Sequence, residues 1–467
     1  MNVMRDLHFL ELTALAELIR TREISPVEAT VHQLDRIAAL DGTLASFALV
    51  TPERAMAEAR AAEADIVAGR YRGPLHGVPL AVKDLFWTQG TPTAAGTTMH
   101  IHFNPSEDAT VVRRLRQAGA VLLGKLQMTE GAYSDHHPEV TPPRNPWNAD
   151  YWPGISSSGP GAALAAGLCF GALASDTGGS IRWPSAANGL TGLKPTWGRV
   201  SRHGVFDLAP SLDHIGPMGR SVADVSFLLA AVAGADPADS TALQEPPSDY
   251  ASTATQAIDG LKIGIDRTFD RGDVDPQVRT VLDEAEHVLR SLGAEFVEVE
   301  APDVAQAVAD WIPICAVEAA FAHQATFPSR RAEYGPVLAS VLDAGRAMSG
   351  LAYQEVLLRR MAFRGGMKAL FNGIDLLLAP AHPFAPLSLK TMGTMGLQPE
   401  LVARLQSYTA PFNMTGQPTL TLPGGFAVEG LPIAFQLVAA HLEEATLVRA
   451  GAAFQRATNW HRRHPPL

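Results

Sequence analysis

Three side chains set the chemistry within reach of this chain: Ser156, Ser180 and Lys83. Both serines fall within GISSSGPGAALAAGLCFGALASDTGGSIRWPS, residues 154–185, which holds two small polar loops at 154–161 and 176–180. Gly178 and Gly179 come just before Ser180, so backbone N–H groups can approach a ligand there without Cβ interference. A serine beside such groups has the parts of an acyl-transfer centre, a nucleophile and an oxyanion hole. Ser and Gly are also ordinary turn residues, so the loops by themselves leave both readings open. Lys83 shifts the balance. In LHGVPLAVKDLF, Val78, Leu80 and Val82 alternate as in a half-buried strand, and Lys83 falls near its end. A lysine turned inward there is desolvated, which lowers its pKa toward a neutral amine able to act as a base.

The elements that must hold these groups follow from the flanking patterns. Ala162 to Ala174 is a run of small apolar residues that reads as a tightly packed buried helix leading into a short strand; it is too short to cross a bilayer. Upstream, Leu12, Leu15, Leu18 and Ile19 have helical spacing, and Ser25-Pro26-Val27-Glu28 reads as a capping box opening a helix that ends near Gly42. Thr51-Pro52 repeats the signal before an Ala-rich helix to Gly69. Strand 78–83, a Gly/Thr/Pro loop at 88–98, helix 108–117 and strand 120–123 follow. Residues 236–260 read as a surface loop. A βαβ-like unit comes next, with strands 261–265 and 294–299 around a helix capped at Asp275-Pro276. Residues 303–372 read as mostly helical, and strand 375–378 follows. The segment 391–397, with Met392 and Met395, reads as a mobile pocket rim or a plain surface loop. Strands alternating with long helices imply an α/β architecture with a parallel or mixed sheet.

LHGVPLAVKD, PGISSSGPGAALAAGL and SDTGGSIRWPSAANGLTGLKPTWGRVS resemble the amidase signature family of serine hydrolases, which use a Ser–cisSer–Lys triad. The likeness continues in DATVVRRLRQAGAVLLGK, SLDHIGPMGRSVADVSFLL and FNMTGQPTLTLPGG, and so covers nearly the whole chain. It implies one domain over 1–467 built on a large, twisted, mixed central sheet covered by helices on both faces. Within it, 1–70 is a helical N-terminal part, 71–235 the catalytic core, and 261–467 the remainder of the fold with the pocket-covering part. It implies Lys83 as base, Ser156 as bridging serine and Ser180 as nucleophile. The N–H groups of Thr177, Gly178, Gly179 and Ser180 are the oxyanion-hole candidates, with Ser157, Asp176 and Arg182 as supports. Lys194 looks like a structural lysine of the family. Trp87, Met128, Trp183, Met392 and Met395 are candidate pocket lining. The chain departs from the family's GGSSGGS: Ile155 and Ser158 replace glycines and Pro160 replaces a serine.

Other chemistries are poorly supported. Gly119–Lys125 nearly matches a phosphate-binding loop, but Leu126 offers no hydroxyl for magnesium and the interior is an apolar strand. No GxSxG, HExxH or CxxC occurs, so neither an α/β-hydrolase elbow nor a metal site is legible, and no cofactor is expected. His76, His136, His137, His203 and His214 read as structural residues. Asp84 should point away from Lys83, on the opposite side of its strand. The 467 residues are 46% hydrophobic and 18% charged, with a net charge of −11 and no basic block, which argues against nucleic acid or an anionic membrane surface as partner. Arg5, Asp6, Glu11 and Glu17 interrupt any secretory apolar region. Cys169 and Cys315 stand in apolar surroundings and suggest free thiols in a reducing compartment. These features suggest a cytoplasmic protein, and the family resemblance implies a monomer or homodimer that hydrolyses small, largely apolar amides through an acyl-enzyme on Ser180, with esters and carbamates as further substrates. The alternatives are an amidotransferase-type subunit supplying ammonia to a tRNA-linked partner, and a non-catalytic binding protein on the same scaffold.

Overall fold

The computed structural model describes residues 7–272 and 274–467, so Arg5 and Asp6 lie outside the described residues. Its short apolar segments form β1 (Phe47–Val50), β2 (Pro79–Lys83), β3 (Val121–Leu126), β4 (Ala172–Asp176), β5 (Thr191–Lys194), β6 (His214–Gly219), β7 (Lys262–Ile265), β8 (Glu295–Glu298), β9 (Leu376–Pro380), β10 (Thr419–Phe426) and β11 (Pro432–Ala439). All pair into one 11-stranded sheet in the order β1-β3-β2-β4-β6-β5-β10-β11-β9-β7-β8. The sheet is mixed: β2 runs parallel to β3 and β4, β4 antiparallel to β6, and β7 parallel to β8 and β9. This is the α/β fold anticipated from the alternation of strands and helices.

Both faces of the central strands are buried. Leu80, Val82, Leu122 and Leu173 pack into one apolar cluster. Ala81, Val121, Leu123, Ala172 and Ala174 pack into another, with the helix Ser158–Ala165. Strand β2 is therefore not half-buried, as its alternation suggests; every residue in it is buried. The alternation is of large against small side chains, Ala81 facing a tighter layer, and a parallel strand covered on both faces reads in this way.

Local signals mark several boundaries. Ser25 and Glu28 form a reciprocal capping box on helix Pro26–Leu44, a feature worth about 1 kcal/mol. Asp275 caps helix Pro276–Ser291 by accepting from the Gln277 N–H at 2.8 Å. Thr51 does not cap Pro52–Val67; its hydroxyl donates across to the Leu123 carbonyl at 3.2 Å. The stretch 236–260 is more than a surface loop, because a short helix, Tyr250–Thr253, buries Tyr250, and Asp236 accepts from the Ser201 hydroxyl at 2.6 Å. Residues 391–397 are not a loop: they lie mostly in helix Leu389–Met395, whose N-cap is Ser388.

Candidate active site

Strands β2 and β4 lie side by side, and their C-terminal ends carry Lys83 and the Ser175–Asp176 pair. Lys83 is fully buried, and its Nζ lies 2.7 Å from Ser156 Oγ and 2.8 Å from Ser175 Oγ. Burial brings its pKa from 10.5 to about 7, against the opposing pull of Asp176 and Asp213. Water no longer solvates the ammonium, so the neutral amine becomes the competitive form.

Ser156 is positioned by a crowded loop. The Ile155–Ser156 peptide is cis, and the Ser156 carbonyl accepts from the Thr129 N–H at 3.3 Å. Asn188 Nδ2 holds the loop by donating to the Pro153 carbonyl at 2.8 Å. Gly154 has φ +80°, and a Cβ there would sit 2.4 Å from Pro184 Cα, so no other residue fits without movement. The substituted positions acquire contacts of their own. Ile155 packs against the apolar cluster that contains Trp183. Ser158 Oγ lies 3.1 Å from His136 Nε2, and burial lowers that imidazole to about 4. Pro160 occupies the first turn of its helix, where a missing N–H leaves no hydrogen bond unmade.

The Ser180 loop is organised by Asp176. Burial alone would raise this carboxyl, but the Arg182 guanidinium overrides it and holds the group well below the usual carboxylate range. Arg182 donates to it from Nε at 3.0 Å and Nη2 at 2.8 Å, and also to the Thr409 carbonyl and Asn413 Oδ1. Asp176 in turn accepts the N–H groups of Gly179 at 2.9 Å and Ile181 at 3.0 Å, which wraps the loop around the carboxylate. The Gly179 N–H is thereby committed to the loop and removed from the oxyanion-hole set. Those of Thr177, Gly178 and Ser180 have no acceptor among the described residues. Ser180 is 6% exposed while Lys83 and Ser156 are at 0% and 1%, so the serine nearest solvent is the one proposed to attack.

Ser157 does not reach Lys83 or Ser156; its hydroxyl donates to the Ser175 carbonyl at 3.3 Å. Lys194 is fully buried and donates to the Pro195 and Gln417 carbonyls. Asp84 points away, pairing with buried Lys125 at 3.2 Å, and that ion pair inside the sheet also disposes of the phosphate-loop reading. Of the five candidate pocket residues, Trp183, Met392 and Met395 meet in one apolar cluster with Trp152, Leu387 and Leu405. That cluster borders the Ser180 loop, since a Cβ on Gly179 would lie 2.5 Å from the Trp183 ring. Trp87 and Met128 do not join it. Trp87 belongs to an aromatic group with Phe103 and Phe206, and Met128 is sealed in the main core. Sequence reasoning misses Ser175, Asp213, Asn413 and Trp311. Ser175 stands beside the recognisable Asp176, whereas the others arrive from distant segments.

The sequence profile described as Amidase matches residues 28–448. The chain belongs to the amidase family. AmiD of Mycobacterium bovis is 48% identical over 98% of this chain and 96% of its own length. A glutamyl-tRNA(Gln) amidotransferase subunit of Moorella thermoacetica is 38% identical over 99% of each chain. The solved peptide amidase of Stenotrophomonas maltophilia superposes with a TM-score of 0.83 at 30% identity, covering 98% of both chains. Family membership makes the chain a hydrolase of carbon–nitrogen bonds in amides and confirms the fold inferred from its motifs.

Proposed function

We propose that the enzyme hydrolyses small, largely apolar amides through an acyl-enzyme on Ser180, with aryl esters and carbamates as further substrates. The observation that carries this reading is the contact of Lys83 Nζ with Ser156 Oγ at 2.7 Å, at a lysine whose pKa burial brings to about 7. A neutral amine at that position can donate to Ser175 and accept the Ser156 proton. Ser156 then takes the proton of Ser180 as Ser180 attacks the carbonyl, and the same path in reverse protonates the departing nitrogen. The N–H groups of Thr177, Gly178 and Ser180 are the donors for the oxyanion that forms. Water then releases the acyl group by the same route. Carbamates present the same carbonyl and leaving nitrogen, so urethane cleavage needs no further machinery. The apolar preference is supported by the Trp152–Trp183 pair, 6.0 Å between ring centroids, and by the methionines packed around it. Two buried free thiols, Cys169 and Cys315, support placement in a reducing compartment such as the cytoplasm.

The test is fluorophosphonate labelling with peptide mapping, followed by hydrolysis of matched anilides, phenyl esters and phenyl carbamates. The expected result is a single adduct on Ser180, lost in Lys83→Ala, and an activity lost in Ser180→Ala. An adduct on another serine, or full hydrolysis by Ser180→Ala, overturns the assignment. The likeness to the amidotransferase protein supports a second reading, in which glutamine is the amide and a partner receives the ammonia. Glutamine hydrolysis exceeding anilide hydrolysis, together with a co-purifying partner, would favour it.

A further inference from the structure

Thr177 is gripped from two sides by groups distant in sequence. Its carbonyl accepts the indole Nε1–H of Trp311 at 2.8 Å, across 134 residues of chain. Its hydroxyl donates to Asp213 Oδ1 at 2.6 Å. Asp213 is itself fixed, because its other oxygen accepts the N–H groups of Leu208 and Ala209, both at 3.0 Å. Trp311 lies on helix Ala305–Ala322, and so does Glu318, two turns further along the same face. Glu318 accepts from the Ser211 N–H at 2.7 Å and from its hydroxyl at 2.5 Å, anchoring the loop that carries Asp213. One helix face therefore holds both ends of Thr177, the carbonyl directly and the side chain through that loop.

The carbonyl of Thr177 and the N–H of Gly178 belong to a single peptide unit. That unit is trans, so the two groups point in opposite directions in one plane. Fixing the carbonyl on Trp311 fixes where the N–H aims. Gly178 is buried and its N–H has no acceptor among the described residues; buried donors without a partner are rare. The indole also lies over Gly178, where a Cβ would be 2.7 Å from Trp311 Cζ2.

We propose that Trp311 is a positioning residue that sets the Thr177–Gly178 peptide plane, so that the Gly178 N–H is presented to the oxyanion formed on attack by Ser180. This rests on the reading of Ser180 as nucleophile. The group acts on the tetrahedral species and only weakly on the planar ground state, so its loss should fall on kcat. Losing an oxyanion donor outright costs about 10²–10³ in rate, and a donor left in place but free to tilt should cost about 10–100-fold.

The experiment replaces Trp311 with 3-benzothienylalanine, which keeps the ring shape and exchanges the N–H for sulfur. kcat and KM on an anilide, the pH profile, and the affinity for phenylboronic acid, which forms a tetrahedral adduct on a serine, are compared with wild type. The expected result is a kcat lowered about 10–100-fold with KM within about twofold. Boronate affinity should weaken in proportion, while the ascending pH limb stays where it is and fluorophosphonate still labels Ser180. Thr177→Val loosens the same peptide from its other end and should give the same kcat-selective loss, with Thr177→Ser restoring activity. Unchanged kcat and boronate affinity overturns the proposal. So does a parallel loss of kcat, substrate affinity and thermal stability, which would mark a packing role alone. Wild-type protein giving no Ser180 adduct and no hydrolysis would instead remove the nucleophile assignment, and the proposal with it.

Discussion

Lys83→Met separates the role of the buried lysine from its contribution to stability. Folding carries Lys83 from an ordinary pKa of 10.5 to about 7 because burial strips water from the ammonium. Between those values the unfolded chain holds a proton that the folded protein does not, so the Lys83 contribution to stability rises with pH across that window and is flat below it. For a drop from 10.5 to about 7, the gain between pH 7 and pH 9 is about 2 kcal/mol. Methionine has similar length and no titrating group, so the variant lacks this term. Lys125 and Lys194, also lowered by burial, are present in both proteins and cancel in the difference. The assay is urea unfolding of both proteins at pH 7 and pH 9. The difference in unfolding free energy should move by about 2 kcal/mol in favour of wild type at the higher pH. In parallel, wild-type kcat/KM should climb about tenfold per pH unit below an apparent pKa near 7 and then level off, and the variant should lose about 10²–10⁴ in rate. A stability difference identical at the two pH values would refute the depressed pKa, and with it the account of Lys83 as a base.

Three further outcomes follow from the same geometry. Arg182→Met strands the Asp176 carboxylate in a fully buried site and should cost about 3–5 kcal/mol by urea unfolding, with loss of Ser180 labelling; a cost below about 1 kcal/mol would contradict it. Ser175→Ala removes one of the two hydroxyls beside Lys83 Nζ and should lower kcat about tenfold in steady-state assays with KM unchanged, because the amine is less well oriented toward Ser156. Gly365→Ala, in the exposed interior of helix Gly350–Leu370 with open space around the added Cβ, should stabilise the protein by about 0.5–1 kcal/mol in urea with activity unaltered.

Much of this molecule is written locally. The Ser25–Glu28 box, the Asp275 cap and the parallel β7/β8 pair lie where short-range patterns put them. Lys83 and Ser156 meet as their motifs imply. The failures share a cause. Segment 391–397 looks like a loop because Gly393 and Gly396 are poor helix formers, but Ser388 caps the segment and burial of Met395 against the Trp183 cluster outweighs propensity. Residue type groups Trp87 and Met128 with the pocket, yet type does not say which cluster a side chain joins. Asp213, Trp311 and Asn413 escape a reading of the sequence because their partners are remote: Asn413 reaches Asp176 across 237 residues, and no periodicity within either segment encodes that meeting.

The Arg182 contacts also bear on synthesis. Two of its partners, Thr409 and Asn413, are 227 and 231 residues further along the chain, and β5, which follows the Ser180 loop in sequence, completes its pairing only with β10. At about 5–20 residues per second, ribosomes deliver those partners about 10–50 s after Arg182 itself. During that interval the nascent segment can pair Arg182 with Asp176, but the two acceptors that fix the far side of the guanidinium do not yet exist. A chain cut short before residue 409 would lack two of the acceptors that hold the Arg182 side chain, so the Asp176–Arg182 pair at the root of the Ser180 loop would be only partly fixed until the C-terminal part of the sheet is in place.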